Sequence, residues 1–318
     1  MSDGLPTLED VHAARARIAA GVVRTPLVRL GASAAAEIYL KLENLQPIGS
    51  FKLRGATNVM ARLSPAELAR GVVTASAGNM AQGVAWRARE LGIPCTVIAP
   101  DTAPATKIEA IERLGGRVVQ VPFAAWWQTF ERRSFPGVEA TFIHAFDDPD
   151  VMAGNGTLAL EILEDLPDAA AIVIPWGGGG LACGIASAAR SLAPRCRLYT
   201  AEAETAAPFA AALGAGQPLE IETRPSFVDG IGSRRVFPRM FARARPLIDG
   251  ALVASVEAVA GAVRLLAERN RIIAEGAGAC PVACALEGAA GPGKVVCVVS
   301  GGNLDAAKLA LILSGATP

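Results

Sequence analysis

Short apolar runs alternate with helical patterns along most of this chain. The runs predict β-strands, because they are short, rich in β-branched residues and bounded by polar or turn-forming positions. The predicted strands are residues 38–42, 72–74, 96–99, 117–121, 140–143, 171–175, 197–201, 252–255 and 294–300. The predicted helices are residues 80–91, 104–114, 181–192, 256–270, 276–287 and 304–313. Such alternation is typical of parallel sheets with crossover helices and predicts an α/β fold.

The grouping of the strands predicts two domains. No change of composition and no Pro/Ser-rich linker divides the chain, so the boundary follows from the grouping alone. We expect a small domain, residues 67–147, inserted in a large discontinuous domain of residues 1–66 and 148–318. The 318 residues, of which 52% are hydrophobic, can bury the core of such a protein.

Charge and cysteine content narrow the class of protein. Thirty basic and thirty acidic residues cancel, and no Lys/Arg-rich block is present. We therefore expect a small-molecule partner, and neither nucleic acid nor a membrane surface. Six cysteines without a C-x-x-C pair favour a reducing compartment. Residues 1–4 show no secretory signal, so the expected location is the cytoplasm.

One uncharged segment, residues 169–189, is long enough to cross a bilayer. Pro175 and the glycines at 177–180 would break such a helix at mid-span and leave backbone groups unsatisfied in lipid. A buried strand, a turn and a helix explain the segment better, and no membrane span is predicted.

Four consecutive glycines, residues 177–180, follow a predicted buried strand and precede a helix. Glycine lets the backbone approach a ligand closely, and the N–H groups of a helix N-terminus favour an anion. The turn therefore predicts a phosphate site. The segment Leu181-Ala182-Cys183 lacks the lysine of a P-loop, which argues against nucleoside triphosphate hydrolysis. A nicotinamide enzyme stays an alternative here, because Glu202 ends the next predicted strand, where a ribose-binding carboxylate would lie.

Several further motifs occur in a fixed order. They are Lys41-Leu42-Glu43, Ser50-Phe51-Lys52-Leu53-Arg54-Gly55-Ala56, Thr74-Ala75-Ser76-Ala77-Gly78-Asn79, Pro175 to Leu181, Asp229-Gly230, Glu275-Gly276-Ala277-Gly278 and Ser300-Gly301-Gly302-Asn303. Each motif alone is weak, but together they cover the chain almost end to end. In this order they resemble the threonine/serine dehydratase and serine racemase group of fold-type II pyridoxal-phosphate (PLP) enzymes, including phenylserine dehydratase-like members.

The resemblance implies two open, twisted, mainly parallel sheets with flanking helices, as in the tryptophan synthase β-subunit, and a homodimer. It implies PLP as cofactor, with Lys52 as the catalytic residue that binds it covalently. Asn79 is expected to bond the ring hydroxyl, the glycine turn the phosphate and Ser300 the pyridine nitrogen. The expected cofactor-binding residues are Phe51, Lys52, Asn79, Gly177, Gly178, Gly179, Gly180, Leu181, Gly230, Glu275 and Ser300. The expected substrate-binding residues are Ser76, Ala77, Gly78, Asn79 and Met80.

The residues at two of these positions favour elimination of a β-hydroxyl group. The hydroxyl of Ser300 cannot stabilise a protonated pyridine as a carboxylate would, which suits elimination. Serine racemases carry a second serine where this chain has Ala77, and alanine cannot transfer a proton. We therefore expect a dehydratase, or ammonia-lyase, that turns a β-hydroxy amino acid into a 2-oxoacid and ammonia. A racemase or a β-replacement enzyme on the same fold is the alternative.

The expected pocket is more apolar than serine requires. Met80 stands where the group usually has histidine, Trp126 and Trp127 fall in the small domain, and Trp176 adjoins the glycine turn. These side chains favour a larger, more apolar substituent. The expected substrates are threonine, serine or a bulkier phenylserine-like compound.

A cation site beside the cofactor is known in some relatives, which use a Glu and an Asp. Glu202 matches the first of these ligands. Pro208 stands near the second position and offers no carboxylate, so no complete metal site is predicted.

Overall fold

The computed structural model describes residues 4–32 and 34–318. In this part of the chain the strands are β1 (Leu27–Arg29), β2 (Glu37–Leu42), β3 (Val72–Ala75), β4 (Cys95–Pro100), β5 (Arg117–Val121), β6 (Thr141–Phe142), β7 (Ala171–Pro175), β8 (Arg197–Ala203), β9 (Gly250–Ala254) and β10 (Lys294–Val299). The helices are α1 (Leu8–Ile18), α2 (Lys52–Met60), α3 (Pro65–Arg70), α4 (Asn79–Leu91), α5 (Ala105–Arg113), α6 (Phe123–Arg132), α7 (Pro149–Asp165), α8 (Gly180–Leu192), α9 (Pro208–Ala215), α10 (Pro238–Ala244), α11 (Val256–Leu265), α12 (Gly276–Leu286) and α13 (Ala306–Leu313). Residues 1–3, which entered the prediction of location, lie outside the described range.

The strands form two sheets. The larger sheet has the order β1-β2-β10-β7-β8-β9; β1 is antiparallel to β2, and the other neighbours are parallel. The smaller sheet has the order β5-β4-β3-β6, with every pair parallel. The predicted fold class, two mainly parallel sheets with flanking helices, is confirmed.

The two sheets draw on different parts of the chain. The smaller sheet uses strands from residues 72–142, whereas the larger uses strands before and after them. This grouping supports the proposed small domain at 67–147 within a large domain of 1–66 and 148–318. The boundary stays a prediction, because Met60 of α2 and Val151 of α7 pack in the same hydrophobic cluster as the smaller sheet.

The predicted strands are all present, with bounds that differ by no more than two residues at either end. The predicted helix over 256–270 changes at Leu266 into a π-helical turn, which runs to Asn270. Arg271, with a positive φ of 60°, follows it. Strand β1 and helices α1, α2, α3, α6, α7, α9 and α10 were not predicted.

The uncharged segment 169–189 contains β7, the glycine turn and most of α8. The turn divides it, so it does not form one long helix. Among the residues that the structure describes, no helix is long and apolar enough to cross a membrane.

A buried network of four charged side chains joins α2 to the larger sheet. Arg54 of α2 pairs through Nε with Glu43 Oε2 at 2.8 Å and through Nη1 with Glu161 Oε1 at 2.6 Å. Lys41 of β2 pairs with Glu161 of α7 at 2.6 Å and donates to the Thr25 carbonyl at 2.6 Å. All four side chains are buried, so their opposite charges compensate one another away from water. The network fixes α2 and hence its first residue.

Replacing Arg54 with methionine is expected to destabilise the protein by about 3–5 kcal/mol, because Glu43 and Glu161 would lose a partner while buried. The matched control is Arg62→Met, which removes a partly exposed pair with Asp150 at 2.9 Å and should cost less than about 1 kcal/mol. Urea unfolding of both variants measures the difference. Equal losses would contradict a stabilising role for the network.

Candidate active site

The carboxyl ends of β3, β7 and β10 open into one cavity, and residues that follow each strand line it. Its volume is about 690 Å³, which is typical of a small-molecule site. Open α/β sheets bind ligands outside the carboxyl ends of their strands, so this position is the expected one. Every predicted cofactor- and substrate-binding residue lines it: Phe51, Lys52, Ser76, Ala77, Gly78, Asn79, Met80, Gly177, Gly178, Gly179, Gly180, Leu181, Gly230, Glu275 and Ser300.

Lys52 brings an amine into the cavity. It is the first residue of α2, and the Phe51 N–H before it donates to the Ser300 carbonyl at 3.0 Å. The Lys52 Nζ donates to the Ala145 carbonyl oxygen at 2.7 Å. Burial lowers the pKa of this amine to about 8, and the charge of Glu275 opposes the shift. A larger fraction of the amine is therefore neutral near pH 7 than for an exposed lysine.

The glycine turn joins β7 to α8. Gly179 has a φ of 88°, a conformation that favours glycine. A Cβ at Gly178 would overlap the Phe146 ring, and one at Gly180 would lie 2.7 Å from the Phe146 carbonyl oxygen. The glycine turn thus packs too closely against Phe146 to accommodate a side chain at Gly178 or Gly180. Helix α8 begins without a side-chain N-cap, so its first N–H groups can serve an anion in the cavity.

Three polar side chains connect the start of α4 to the start of α12 and to the segment after β10. Asn79 Nδ2 donates to Glu275 Oε1 at 2.8 Å, and Asn79 Oδ1 accepts from Asn303 Nδ2 at 2.7 Å. Burial raises the pKa of Glu275 to about 7, while the hydrogen bond from Asn79 opposes the shift. An amide nitrogen carries two hydrogens, so Asn79 keeps one N–H for a ligand. Asn303 was present in a predicted motif but was not predicted as a site residue.

The two remaining polar elements are a hydroxyl and a helix N-terminus. Ser300 follows β10 and is buried at the edge of the cavity. The Gly78 N–H donates to Ser76 Oγ at 3.2 Å, which shapes the loop before α4. Helix α4 begins at Asn79 without a side-chain N-cap, so it offers N–H donors to a carboxylate.

These groups match the chemical functions of PLP. The cofactor has an aldehyde that reacts with an amine, a phosphate that needs N–H donors and a ring nitrogen that bonds a hydroxyl. Lys52, the glycine turn and Ser300 place one of each in a single cavity. The residues present therefore fit the cofactor.

Residues 18–301 match a family model described as pyridoxal-phosphate dependent enzyme. The chain belongs to this family. The predicted cofactor, PLP, is thereby confirmed, and the glycine turn belongs to a PLP-dependent enzyme instead of a nicotinamide enzyme.

Known relatives of this PLP-dependent enzyme include lyases and a racemase. It is 40% identical over 306 residues to the L-threonine ammonia-lyase of Thermotoga maritima, covering 94% of this chain and 76% of that one. The solved processed form of threonine deaminase isoform 2 from Solanum lycopersicum has a TM-score of 0.85 and 33% identity, covering 96% of this chain and 94% of that one. Maize serine racemase has a TM-score of 0.86 and 30% identity, covering 97% of each chain. The predicted enzyme class, a PLP-dependent lyase, agrees with the first two.

Glu202 is not among the residues that line the cavity of the PLP-dependent enzyme. Its two carboxylate oxygens accept the Phe209 N–H at 2.9 Å and the Ala210 N–H at 2.7 Å, at the start of α9. The carboxylate thus caps a helix and does not face a ligand in the cavity, as the alternative of a ribose-binding carboxylate required. Within residues 4–32 and 34–318, no group of three or more His, Cys, Asp or Glu could hold a metal ion.

We expect EDTA, Mg²⁺ and Ca²⁺ to leave the melting temperature of the holoenzyme unchanged. The reason is that both Glu202 oxygens are bonded to the backbone, while Pro208 has no carboxylate. The control Glu202→Ala should be less stable by about 1–3 kcal/mol, because a buried acceptor is lost. Thermal melts with and without each cation provide the measurement. A cation-dependent rise that vanishes in the Glu202→Ala variant would contradict this account.

Most of the aromatic lining was not predicted from the sequence. Four rings on α6 line the cavity together with two from other segments: Phe123, Trp126, Trp127, Phe130, Phe146 and Phe237. The spacing of the first four, i, i+3, i+4 and i+7, places them on one helix face and could have revealed this. Trp176 instead lies buried, stacked on Phe209 with centroids 3.9 Å apart, and is not among the lining residues.

Proposed function

We propose that this enzyme removes water from a β-hydroxy amino acid and releases ammonia, leaving a 2-oxoacid. The observation that carries the proposal is the meeting of one partly buried amine, Lys52, with the glycine turn and Ser300 in one cavity. The names of two relatives, an L-threonine ammonia-lyase and a threonine deaminase, support this reaction. The candidate substrates are threonine, serine and a bulkier phenylserine-like compound.

The cavity residues have distinct proposed roles toward the cofactor. Lys52 would hold its aldehyde, the glycine turn its phosphate, and Ser300 its ring nitrogen. Asn79 would donate to the ring hydroxyl through the Nδ2 hydrogen that is not bonded to Glu275. The remaining proposed members of the cofactor pocket are Phe51, Leu181, Gly230 and Glu275. When bound, PLP supplies an electron sink for the bond that breaks at the substrate Cα.

The loop before α4 would bind the substrate. The N–H groups of the first turn of α4 have no side-chain cap, and they would donate hydrogen bonds to the substrate carboxylate. The proposed substrate-binding residues are Ser76, Ala77, Gly78, Asn79 and Met80. Because α4 packs on the smaller sheet while Lys52 and the glycine turn flank the larger one, the substrate would lie between the two.

Proton transfer would depend on Lys52. When its Nζ is not bonded to the cofactor, Lys52 would be an amine whose lowered pKa suits it to remove and hold the substrate Cα proton. Ala77 lines the cavity without a transferable proton, so it cannot serve as a second acid for racemisation. The neutral hydroxyl of Ser300 would stabilise charge on the cofactor ring less than a carboxylate, which would favour loss of the β-hydroxyl group.

The test is to incubate the holoenzyme with threonine, serine and phenylserine and to measure ammonia, 2-oxoacid and D-amino acid. We expect equal amounts of ammonia and oxoacid and little D-isomer. Lys52→Ala should reduce the rate at least about 100-fold, because the base is lost. Lys308→Ala, on α13 away from the cavity, is the matched control and should retain the rate. D-isomer as the main product would indicate a racemase, and products formed only with an added nucleophile would indicate β-replacement.

The pKa of Lys52 predicts how the apoenzyme takes up PLP. Because the neutral amine attacks the aldehyde, uptake should be slow below pH 8, rise through about pH 8 and level off above it. The visible absorbance that develops after mixing apoenzyme with PLP measures the rate at each pH. A midpoint near 10.5, the ordinary lysine value, would contradict burial of this amine.

Two broader properties stay predictions. All six cysteines are free and buried, as expected in a reducing compartment, and this supports a cytoplasmic location. A homodimer is proposed from the resemblance to dimeric relatives, and light scattering on the purified holoenzyme would test it.

A further inference from the structure

A cluster of aromatic rings lines part of the cavity. We call the six rings of Phe123, Trp126, Trp127, Phe130, Phe146 and Phe237 the aromatic wall; all of them line the cavity. Aromatic residues make up only 5% of the chain, so their concentration at one site calls for an explanation in terms of its ligand.

The aromatic wall is continuous and begins beside the proposed cofactor site. The Phe146 ring abuts the glycine turn at Gly178, and Phe146 follows Ala145, whose carbonyl oxygen accepts a hydrogen bond from the Lys52 amine. From Phe146 the ring contacts lead to Phe130 at 5.5 Å and from there to Trp127 at 5.6 Å between centroids. The wall therefore extends from the amine toward the outer part of the cavity.

The outer part of the wall reaches solvent. Phe123 stands 5.3 Å from Trp126 between centroids and is 58% exposed. Because this ring continues a contiguous set of aromatic rings at a cavity, it forms part of an apolar surface that a ligand can cover. The same ring would give an apolar substituent its first contact on entry.

The charges near the aromatic wall are compensated. The Arg235 guanidinium lies 4.9 Å from the Trp127 ring centre and 5.3 Å from that of Phe237, and it donates to Glu131 at 3.1 Å. His144, which contacts Phe130 at 4.6 Å, stays neutral, because burial lowers its pKa to about 3. The wall thus presents ring faces and edges, with no unpaired charge from these side chains to attract an ionic substituent.

We propose that the aromatic wall binds an aromatic β-substituent, so that β-aryl-β-hydroxy amino acids are preferred over threonine and serine. The inference rests on the proposed function for the chemistry but on the wall for the specificity. The methyl group of threonine or the hydrogen of serine would leave most of the surface of the aromatic wall exposed to solvent. An aryl substituent would bury that surface and make edge or face contacts with several of its rings. The buried thioether of Met80 adds a further apolar contact on the substrate loop.

Binding can be tested without elimination, using ligands that lack a β-hydroxyl group. L-Phenylalanine and L-alanine are titrated into the holoenzyme while the visible absorbance of the cofactor and the tryptophan fluorescence are recorded. We expect phenylalanine to bind at least about tenfold more tightly than alanine. Equal affinities, or tighter binding of alanine, would overturn the proposal.

The second test measures turnover of β-hydroxy amino acids. For phenylserine we expect kcat/KM to exceed that for threonine at least about tenfold. A preference for threonine, or for 3-hydroxyaspartate with its anionic substituent, would overturn the assignment of the wall. If phenylalanine binds preferentially but no β-hydroxy amino acid is dehydrated, the aromatic subsite stands and the proposed lyase function fails. If phenylserine, threonine and 3-hydroxyaspartate react equally well, the lyase function stands and the proposed aromatic subsite fails.

Two variants locate the effect. Trp127→Leu should reduce the phenylalanine-to-alanine affinity ratio about tenfold, because it removes a central ring of the wall. The matched control is Trp86→Leu, which changes a tryptophan of α4 that is not among the lining residues and should leave the ratio unchanged. If Trp127→Leu does not fold, Phe123→Leu at the exposed edge should lower the same ratio. Equal ratios in the wild type and both wall variants would overturn the proposal.

Discussion

The site is organised around one desolvated amine. Lys52 Nζ lies inside the protein against a backbone carbonyl oxygen instead of a carboxylate, so burial, more than ion pairing, governs its charge. Its pKa near 8 leaves it reactive toward an aldehyde and able to carry a proton afterwards. The glycine turn, Ser300 and the first turn of α4 together form a site because they surround this amine.

Holding an amine in this position requires a rigid support. The four buried charges around Arg54 fix α2 two residues beyond Lys52, and the Phe51 N–H ties the preceding segment to the end of β10. Asn79 reaches across the cavity to Glu275 and Asn303. Substrate binding at the loop before α4 is thereby coupled to the part of the molecule that holds the cofactor.

The sequence predicted those features whose physical cause is local. Glycines that allow close approach, a lysine within its motif and short buried strands each leave a signal within a few residues. Helix α7 left none, because it is buried on nearly every side and shows no single apolar stripe. The Lys41–Glu161 pair joins residues 120 positions apart, and the aromatic wall gathers rings from α6 and from two distant segments. Such contacts exist only after folding.

Borohydride reduction of the holoenzyme, followed by digestion and mass analysis of the peptides, identifies the lysine that holds the cofactor. The chain has five lysines, so the outcome is specific. We predict the cofactor mass on the peptide that contains Lys52 and on no other. Modification of Lys41, Lys107, Lys294 or Lys308, or no modification of a protein that has bound PLP, would contradict the account.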